Sequence, residues 1–297
     1  MARRVGIVGI GIMGTAMMRN LLEGGFEVAG YDVAEEAMAR LSRAGGIPAS
    51  SPREVAEKTE ILITSLPSEE AFAQATTGQG GIASGNGKGQ IVIECSTLPV
   101  EAKTRAKTRL AETGKILLDC PVSGTGAQAA KKDLVVFASG DKEAFERCRE
   151  VFAGMSRAQK YVGAFGNGSK MKFIANHLVT IHNLSAAEAF VLGEKAGLEP
   201  ALVFDVIADS AGTSRMFQVR GPLMVAGRYE EPTATFKTHL KDLGIIGAFA
   251  ADLHCPTPLF TAAVQFYHAA LAQGREREDT AAVCAVLERL AGIKRKG

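Results

Sequence analysis

The feature that most constrains this chain is a spaced glycine turn, Gly9-Ile10-Gly11-Ile12-Met13-Gly14, between the apolar run Arg4–Val8 and an amphipathic run over 15–23. Strand, glycine turn and helix in that order form the context that a dinucleotide fingerprint needs. The three glycines have separate tasks. Gly9 permits the tight turn, Gly11 keeps a Cβ out of the path of a pyrophosphate, and Gly14 lets the helix pack close to the sheet. The helix start, with Ile12 and Met13, then offers unpaired N–H groups and a partial positive charge to phosphates. The next β-rich run, Glu27–Tyr31, leads into Asp32, about 20 residues beyond the turn, where a carboxylate can accept hydrogen bonds from ribose hydroxyls. That carboxylate would repel a 2′-phosphate. Val33 follows with no arginine beside it, so NAD is the expected cofactor and NADP the less favoured one.

The same alternation continues. Short apolar runs over 61–65, Ile91–Glu94, Ile116–Asp119 and Val135–Ala138 are separated by amphipathic stretches such as 99–112 and 141–153. Runs apolar on both faces fit strands covered by helices above and below, so the expected fold begins with a Rossmann-type, doubly wound parallel sheet. After Gly166 the strand-like runs stop. The remainder shows helical periodicity, broken near 197–200, 227–232 and 255–258. The chain is therefore expected to be an α/β cofactor domain over 1–165 and an all-α domain over 166–297, joined by a long interdomain helix over about 168–195.

At 297 residues, with 46% hydrophobic and 22% charged residues, the chain has ordinary globular proportions. A net charge of +2, from 34 basic and 32 acidic residues mixed along the chain, argues against nucleic acid as a partner. The basic tail Lys294-Arg295-Lys296 is expected to be a frayed, solvated end. Cys95, Cys120, Cys148, Cys255 and Cys284 are scattered and odd in number, which fits a reducing cytoplasm better than a disulfide framework. There is no metal motif. Met1-Ala2-Arg3-Arg4 runs straight into the glycine-punctuated strand, so no export is expected. The apolar stretch over 171–198 carries Lys172, Asn176, His177, His182, Asn183 and Glu188, residues costly in lipid, so no membrane partner is expected.

Taken together, Gly9 to Asn20 (GIGIMGTAMMRN), Asp119 to Gly124 (DCPVSG), Gly163 to Asn176 (GAFGNGSKMKFIAN) and Lys241-Asp242-Leu243 resemble the β-hydroxyacid dehydrogenases. This is the family of 3-hydroxyisobutyrate dehydrogenase, tartronate semialdehyde reductase and glyoxylate reductase. The resemblance runs through essentially the whole chain. It implies hydride transfer between NAD(P) and the β-carbon of a short β-hydroxyacid or its semialdehyde or keto form, and assembly as a homodimer or homotetramer.

The resemblance also assigns residues. Ser123 and Gly124 would bind the substrate carboxylate, a role consistent with a turn at a strand's carboxyl end just before a helix start at Gly126–Ala130. The alternative role for Ser123 or Thr125 is a helix N-cap. Thr125 stands where the family usually has a second glycine, and Lys132-Asp133 where it commonly has Gly-Thr, so a pocket of different shape is expected here. Lys172 would be the catalytic lysine, since it rather than Lys170 stands four residues before Asn176, on the same helix face. Desolvation would bring its pKa toward the working pH, and Asn176 would orient it or the substrate. Lys241 would reach the nicotinamide, Ser96-Thr97 would lie by its ribose, and Leu66-Pro67 on the adenine side. His177, Arg215 and Phe236 are open between pocket lining and helix packing. Two other readings are an imine reductase, which usually replaces the lysine retained here, and a non-catalytic Rossmann module used for oligomerisation.

Overall fold

A computed structural model of the chain describes residues 4–295. Met1, Ala2 and Arg3, on which the reading of the N-terminus partly rests, and Lys296 of the basic tail lie outside the described residues. The chain divides into two compact units, one up to Lys172 and one from Phe173 onward.

In chain order the first unit runs β1 (Arg4–Val8), α1 (Ile12–Glu23), β2 (Glu27–Tyr31), α2 (Glu35–Arg43), β3 (Ile47–Pro48), α3 (Pro52–Lys58), β4 (Ile61–Thr64), α4 (Glu69–Thr77), β5 (Ile91–Glu94), α5 (Val100–Glu112) and β6 (Ile116–Asp119). These strands form one parallel sheet in the order β3-β2-β1-β4-β5-β6. In this doubly wound order the chain grows outward from β1 in both directions, and the switch point falls between β1 and β4. The β-branched strands are buried on both faces. Val5, Ile7, Ile63, Ile91, Ile93 and Leu118 enter one core, and Val8, Leu62, Val92 and Leu117 the other. Val8 pairs with Thr64, Thr64 with Glu94, and Glu94 with Asp119, so four carboxyl-terminal strand ends stand side by side.

The expected place of Val135–Ala138 in this sheet needs correction. The sixth strand of the parallel sheet is the two-residue β3, which the periodicity is too short to reveal. After β6 the chain forms β7 (Val122–Ser123), α6 (Gly126–Ala130), β8 (Val135–Ala138), α7 (Lys142–Arg147), α8 (Arg149–Met155) and β9 (Ala158–Tyr161). Here β8 pairs antiparallel with β7 and parallel with β9, making a separate three-stranded sheet. The connection holds a helix of only five residues, and it folds back as a hairpin instead of crossing over the sheet. The stretch 141–153 likewise becomes two helices, broken at Cys148, which lets Phe145 and Phe152 meet with ring centroids 5.5 Å apart.

Helix α9 (Asn167–Lys195) starts in the first unit and continues into the second, which also holds α10 (Pro200–Ala208), α11 (Arg215–Ala226), α12 (Phe236–Asp252), α13 (Pro258–Ala272) and α14 (Val283–Leu290). Prolines open α10 and α13, where the missing N–H costs nothing. Ser214 and Thr235 cap α11 and α12. Phe236 is fully buried edge-on to Tyr267 at 5.7 Å, which makes it a packing residue. Among the described residues, no helix is long and apolar enough to cross a membrane.

The basic tail is not frayed at Arg295. Its guanidinium donates to Glu288 at 3.0 Å, to the Val225 carbonyl at 3.2 Å and to the Met224 carbonyl, closing the end of the chain onto α11 and α14.

Candidate functional site

The glycine turn follows β1 at the switch point. Gly9 takes a φ of +92°, and a Cβ there would stand 2.2 Å from the Ser65 carbonyl oxygen at the end of β4. No side chain fits. A Cβ on Gly14 would lie 2.0 Å from the Gly9 carbonyl, so it is the turn itself, more than the sheet, that requires glycine there. Around Gly11 the space is open, since a Cβ would meet nothing within 4 Å. Gly11 is also the N-cap of α1; it brings no side-chain cap, and the first helical turn holds no acid. The N–H groups that open α1, from Ile12 and Met13 on, are therefore presented to an anion, which fits a dinucleotide pyrophosphate.

Asp32 follows β2 and braces the turn, accepting from Ile10 N at 2.6 Å and Ala34 N at 2.9 Å. A carboxylate has about four lone-pair directions, so capacity remains for a ribose hydroxyl. The sequence reading missed Arg40. Although eight residues beyond Asp32 along the chain, it donates to the Ile10 carbonyl at 3.2 Å and pairs with Glu36 at 3.3 Å. Helix α2 brings the Arg40 guanidinium back to Ile10, the same residue that Asp32 holds.

The ends of β4, β5 and β6 carry a buried polar network. Leu66 N donates to Ser96 Oγ at 2.8 Å, with Pro67 exposed beyond it and Thr97 half-buried next to Ser96. Glu94 accepts from Ser96 N at 2.7 Å and from the Thr64 hydroxyl. Lys103, on α5, donates to the Ser96 carbonyl at 2.7 Å and to Asp119 Oδ1 at 2.8 Å, and stands 3.8 Å from Glu94. All three charged side chains are at most 1% exposed. Burial pushes the Glu94 carboxyl above its ordinary pKa despite the lysine. Burial acts to lower the pKa of Lys103, but Asp119 and Glu94 outweigh it and hold the ammonium above its usual value. The sequence did carry a signal. Lys103 shares the apolar face of α5 with Ala106 and Leu110 at i, i+3 and i+7, a position where a lone lysine needs buried carboxylates.

Ser123 ends β7 opposite Val135 and is half-buried. Gly124 has a φ of +141°, and a Cβ there would strike Leu134 at 2.6 Å. Of the two candidate caps it is Thr125 that starts α6, in a capping box with Gln128. Its hydroxyl is directed to the helix. Lys132 holds a left-handed φ of +57°, a conformation that favours glycine, while Asp133 takes Gln128 at 3.0 Å and Arg157 at 2.7 Å.

Asp119 also receives the start of α9, accepting from Ser169 N at 2.7 Å and Ser169 Oγ at 2.8 Å. Lys172 lies one turn further on and is 8% exposed, whereas Lys170 faces solvent. In the second unit, Asn176 is buried and donates to Asp242 at 2.9 Å. Lys241 pairs with Asp242 at 3.3 Å. Thr180 joins His239 at 3.0 Å. His177 stacks on Phe260 at 5.2 Å, and burial lowers its pKa. Arg215 opens α11 and is exposed.

The family model described as the NAD-binding domain of 6-phosphogluconate dehydrogenase matches residues 4–163, and that described as NAD-binding of NADP-dependent 3-hydroxyisobutyrate dehydrogenase matches 166–287. The chain is 35% identical to an L-threonate dehydrogenase of Cupriavidus necator, over 95% of each chain. It is 30% identical to a 3-sulfolactaldehyde reductase of Escherichia coli, over 98% of each. A crystal structure of 3-hydroxyisobutyrate dehydrogenase from Salmonella typhimurium superimposes with a TM-score of 0.86 at 31% identity, covering 96% of this chain and 99% of that one.

The doubly wound sheet and the open glycine turn, with these matches, define a nicotinamide-dependent oxidoreductase with a Rossmann-type cofactor domain. More narrowly, the chain belongs to the β-hydroxyacid dehydrogenase family. Its chemistry is hydride transfer between a nicotinamide dinucleotide and a short hydroxyacid or its carbonyl form.

Proposed function

We propose that the protein is an NAD-preferring dehydrogenase acting at the β-carbon of a short β-hydroxyacid, with Lys172 as the general acid and base. The observation that carries this reading is the burial of Lys172, at 8% exposure, beside a solvent-facing Lys170. An ammonium withdrawn from water on a helix anchored by a carboxylate is suited to exchange a proton with a substrate hydroxyl. Gly9, Gly11, Ile12, Met13, Gly14, Asp32, Leu66, Pro67, Thr97 and Lys241 would hold the dinucleotide, which when bound supplies the hydride acceptor or donor. Ser123 and Gly124 would bind the substrate carboxylate, with Thr125 shaping that turn through its cap. Asn176 would fix the hydroxyl for transfer.

The substrate is expected within the class named by the relatives, which includes L-threonate, 3-hydroxyisobutyrate and 3-sulfolactaldehyde. A panel of these compounds with other short β-hydroxyacids and their semialdehydes, run with NAD and with NADP, tests the reading. Turnover of at least one hydroxyacid with NAD favoured is expected. Silence across the panel, with reduction of a cyclic imine instead, would overturn it. Helix α10 leaves Leu202 and Val206 exposed at 52% and 60%, which supports assembly as a homodimer or homotetramer, to be read by sedimentation.

A further inference from the structure

The buried Glu94, Lys103 and Asp119 cluster takes no direct part in the chemistry proposed above, yet it joins the loops that follow β4 and β5 to the start of α9. It begins at Leu66, whose N–H is held by Ser96 Oγ at 2.8 Å, and passes through the Ser96 carbonyl to Lys103 at 2.7 Å. From Lys103 it crosses to Asp119 at 2.8 Å, and from Asp119 to both the N–H and the hydroxyl of Ser169 at 2.7 and 2.8 Å. Ser139 closes the far side, accepting from Gly168 N at 2.9 Å and lying 3.2 Å from Asp119 Oδ2. There is no room for slack. A Cβ on Gly168 would stand 2.4 Å from the Phe137 carbonyl and 2.5 Å from that of Asp119.

A carboxylate that takes a first-turn N–H and the hydroxyl of the same residue, as Asp119 does with Ser169, fixes the position of the helix end and its rotation about the axis, because the two donors leave the helix in set directions. Asp119 can do this only while its charge is balanced in the interior. Lys103 is the cation that balances it, and the same ammonium grips the loop after β5.

We propose that Lys103 and Asp119 are positioning residues, which set the rotation of α9 and hence the placement of Lys172 against the loops that follow β4 and β5. This rests on the reading of Lys172 as acid and base. The cluster acts through Lys172, so its loss should slow the chemical step more than it weakens binding.

Two variants test it. Ser169→Ala removes one hydroxyl and leaves the Ser169 N–H on Asp119. It should lower kcat roughly 3- to 10-fold, the net worth of one ordinary hydrogen bond, since the Ser169 N–H still holds the carboxylate, with the cofactor Kd and the hydroxyacid KM within about twofold of wild type. Lys103→Met leaves two carboxylates buried without a cation and risks the fold. Where circular dichroism shows it folded, its kcat should fall on the order of 10- to 100-fold. In a Lys172→Ala background, Ser169→Ala should cause no further loss in the residual rate, because residues acting as a unit are not additive.

Parallel losses of kcat and cofactor affinity, or a full additional loss in the Lys172→Ala background, would mean a merely structural role and overturn the proposal. If Lys172→Ala is inactive while Ser169→Ala and folded Lys103→Met keep wild-type kcat, positioning fails and the acid–base reading stands. If Lys172→Ala keeps wild-type turnover, that reading fails and the positioning proposal with it.

Discussion

The side-chain amide of Asn176 donates to Oδ2 of Asp242 at 2.9 Å, and Asp242 also pairs with Lys241 at 3.3 Å. That bond uses one of the two N–H groups of the amide and fixes its plane, leaving the second N–H and the carbonyl oxygen in set directions. Asp242→Ala frees that amide to rotate. It should lower kcat on the order of 10- to 100-fold, since small misplacements in a positioned pair cost that much. Steady-state kinetics with a cofactor titration read this directly. A variant with wild-type kcat would show that the pair does not set the geometry.

Cofactor choice should depend on Asp32 and Arg40 together. Both grip Ile10, one at its N–H and the other at its carbonyl. Asp32→Asn removes the charge that repels a 2′-phosphate and leaves Arg40 in place to attract one. The ratio of kcat/KM for NADP to that for NAD should rise about 10-fold or more in Asp32→Asn, and Arg40→Ala in that background should reverse most of the rise. A ratio unmoved by either change would contradict the assignment.

His177 gives a pH prediction with a fixed sign. Burial against Phe260 lowers its pKa below the ordinary value of 6.5, so the folded state favours the neutral ring. Above pH 6.5 the ring is neutral in both states and nothing is lost. As pH falls through that value, the unfolded chain takes up the proton first and stability declines. In denaturant titrations, His177→Gln should lose less stability than wild type between about pH 7.5 and pH 5.5. An identical decline in both would contradict it.

Thiol chemistry should single out Cys255, which is exposed while Cys95, Cys120, Cys148 and Cys284 are buried. Burial raises all four buried thiols, Cys148 up to about 12, so the reactive thiolate is scarce at neutral pH. An aromatic disulfide reagent should titrate one thiol in the native protein and all five after denaturation. Rapid native reaction of more than one would show that the core opens.

Arg295→Ala should destabilise the second unit by about 2 kcal/mol, since it removes charge-assisted bonds and leaves Glu288, 5% exposed, with only the Cys284 thiol and no cation beside it among the described residues. Chemical denaturation followed by far-UV circular dichroism measures it. No change would mean that the tail is not held in solution.

What could be read from the residues was what local chemistry determines. The glycine turn, the strands that carry long β-branched runs, the helical second half and the start of α9 at 166–169 all follow from spacing and backbone preference. What could not be read depends on contacts distant in sequence. β3 has two residues and no pattern. Val135–Ala138 has the composition of a parallel strand, and only its pairing with Val122–Ser123 places it in another sheet. Arg40 lies eight residues from Asp32 along the chain, and only the folded α2 brings it back to Ile10 beside that carboxylate. Lys103, Glu94 and Asp119 come from three elements, and their balance of charge exists only once the sheet has assembled.

The most direct measurement is single-turnover hydride transfer from a hydroxyacid substrate with NAD already bound, in wild type and in Lys172→Ala. The expected result is undiminished cofactor binding with a transfer rate lower by roughly 10²- to 10⁴-fold, the contribution of a positioned acid and base. A Lys172→Ala enzyme that transfers hydride at the wild-type rate would contradict the account.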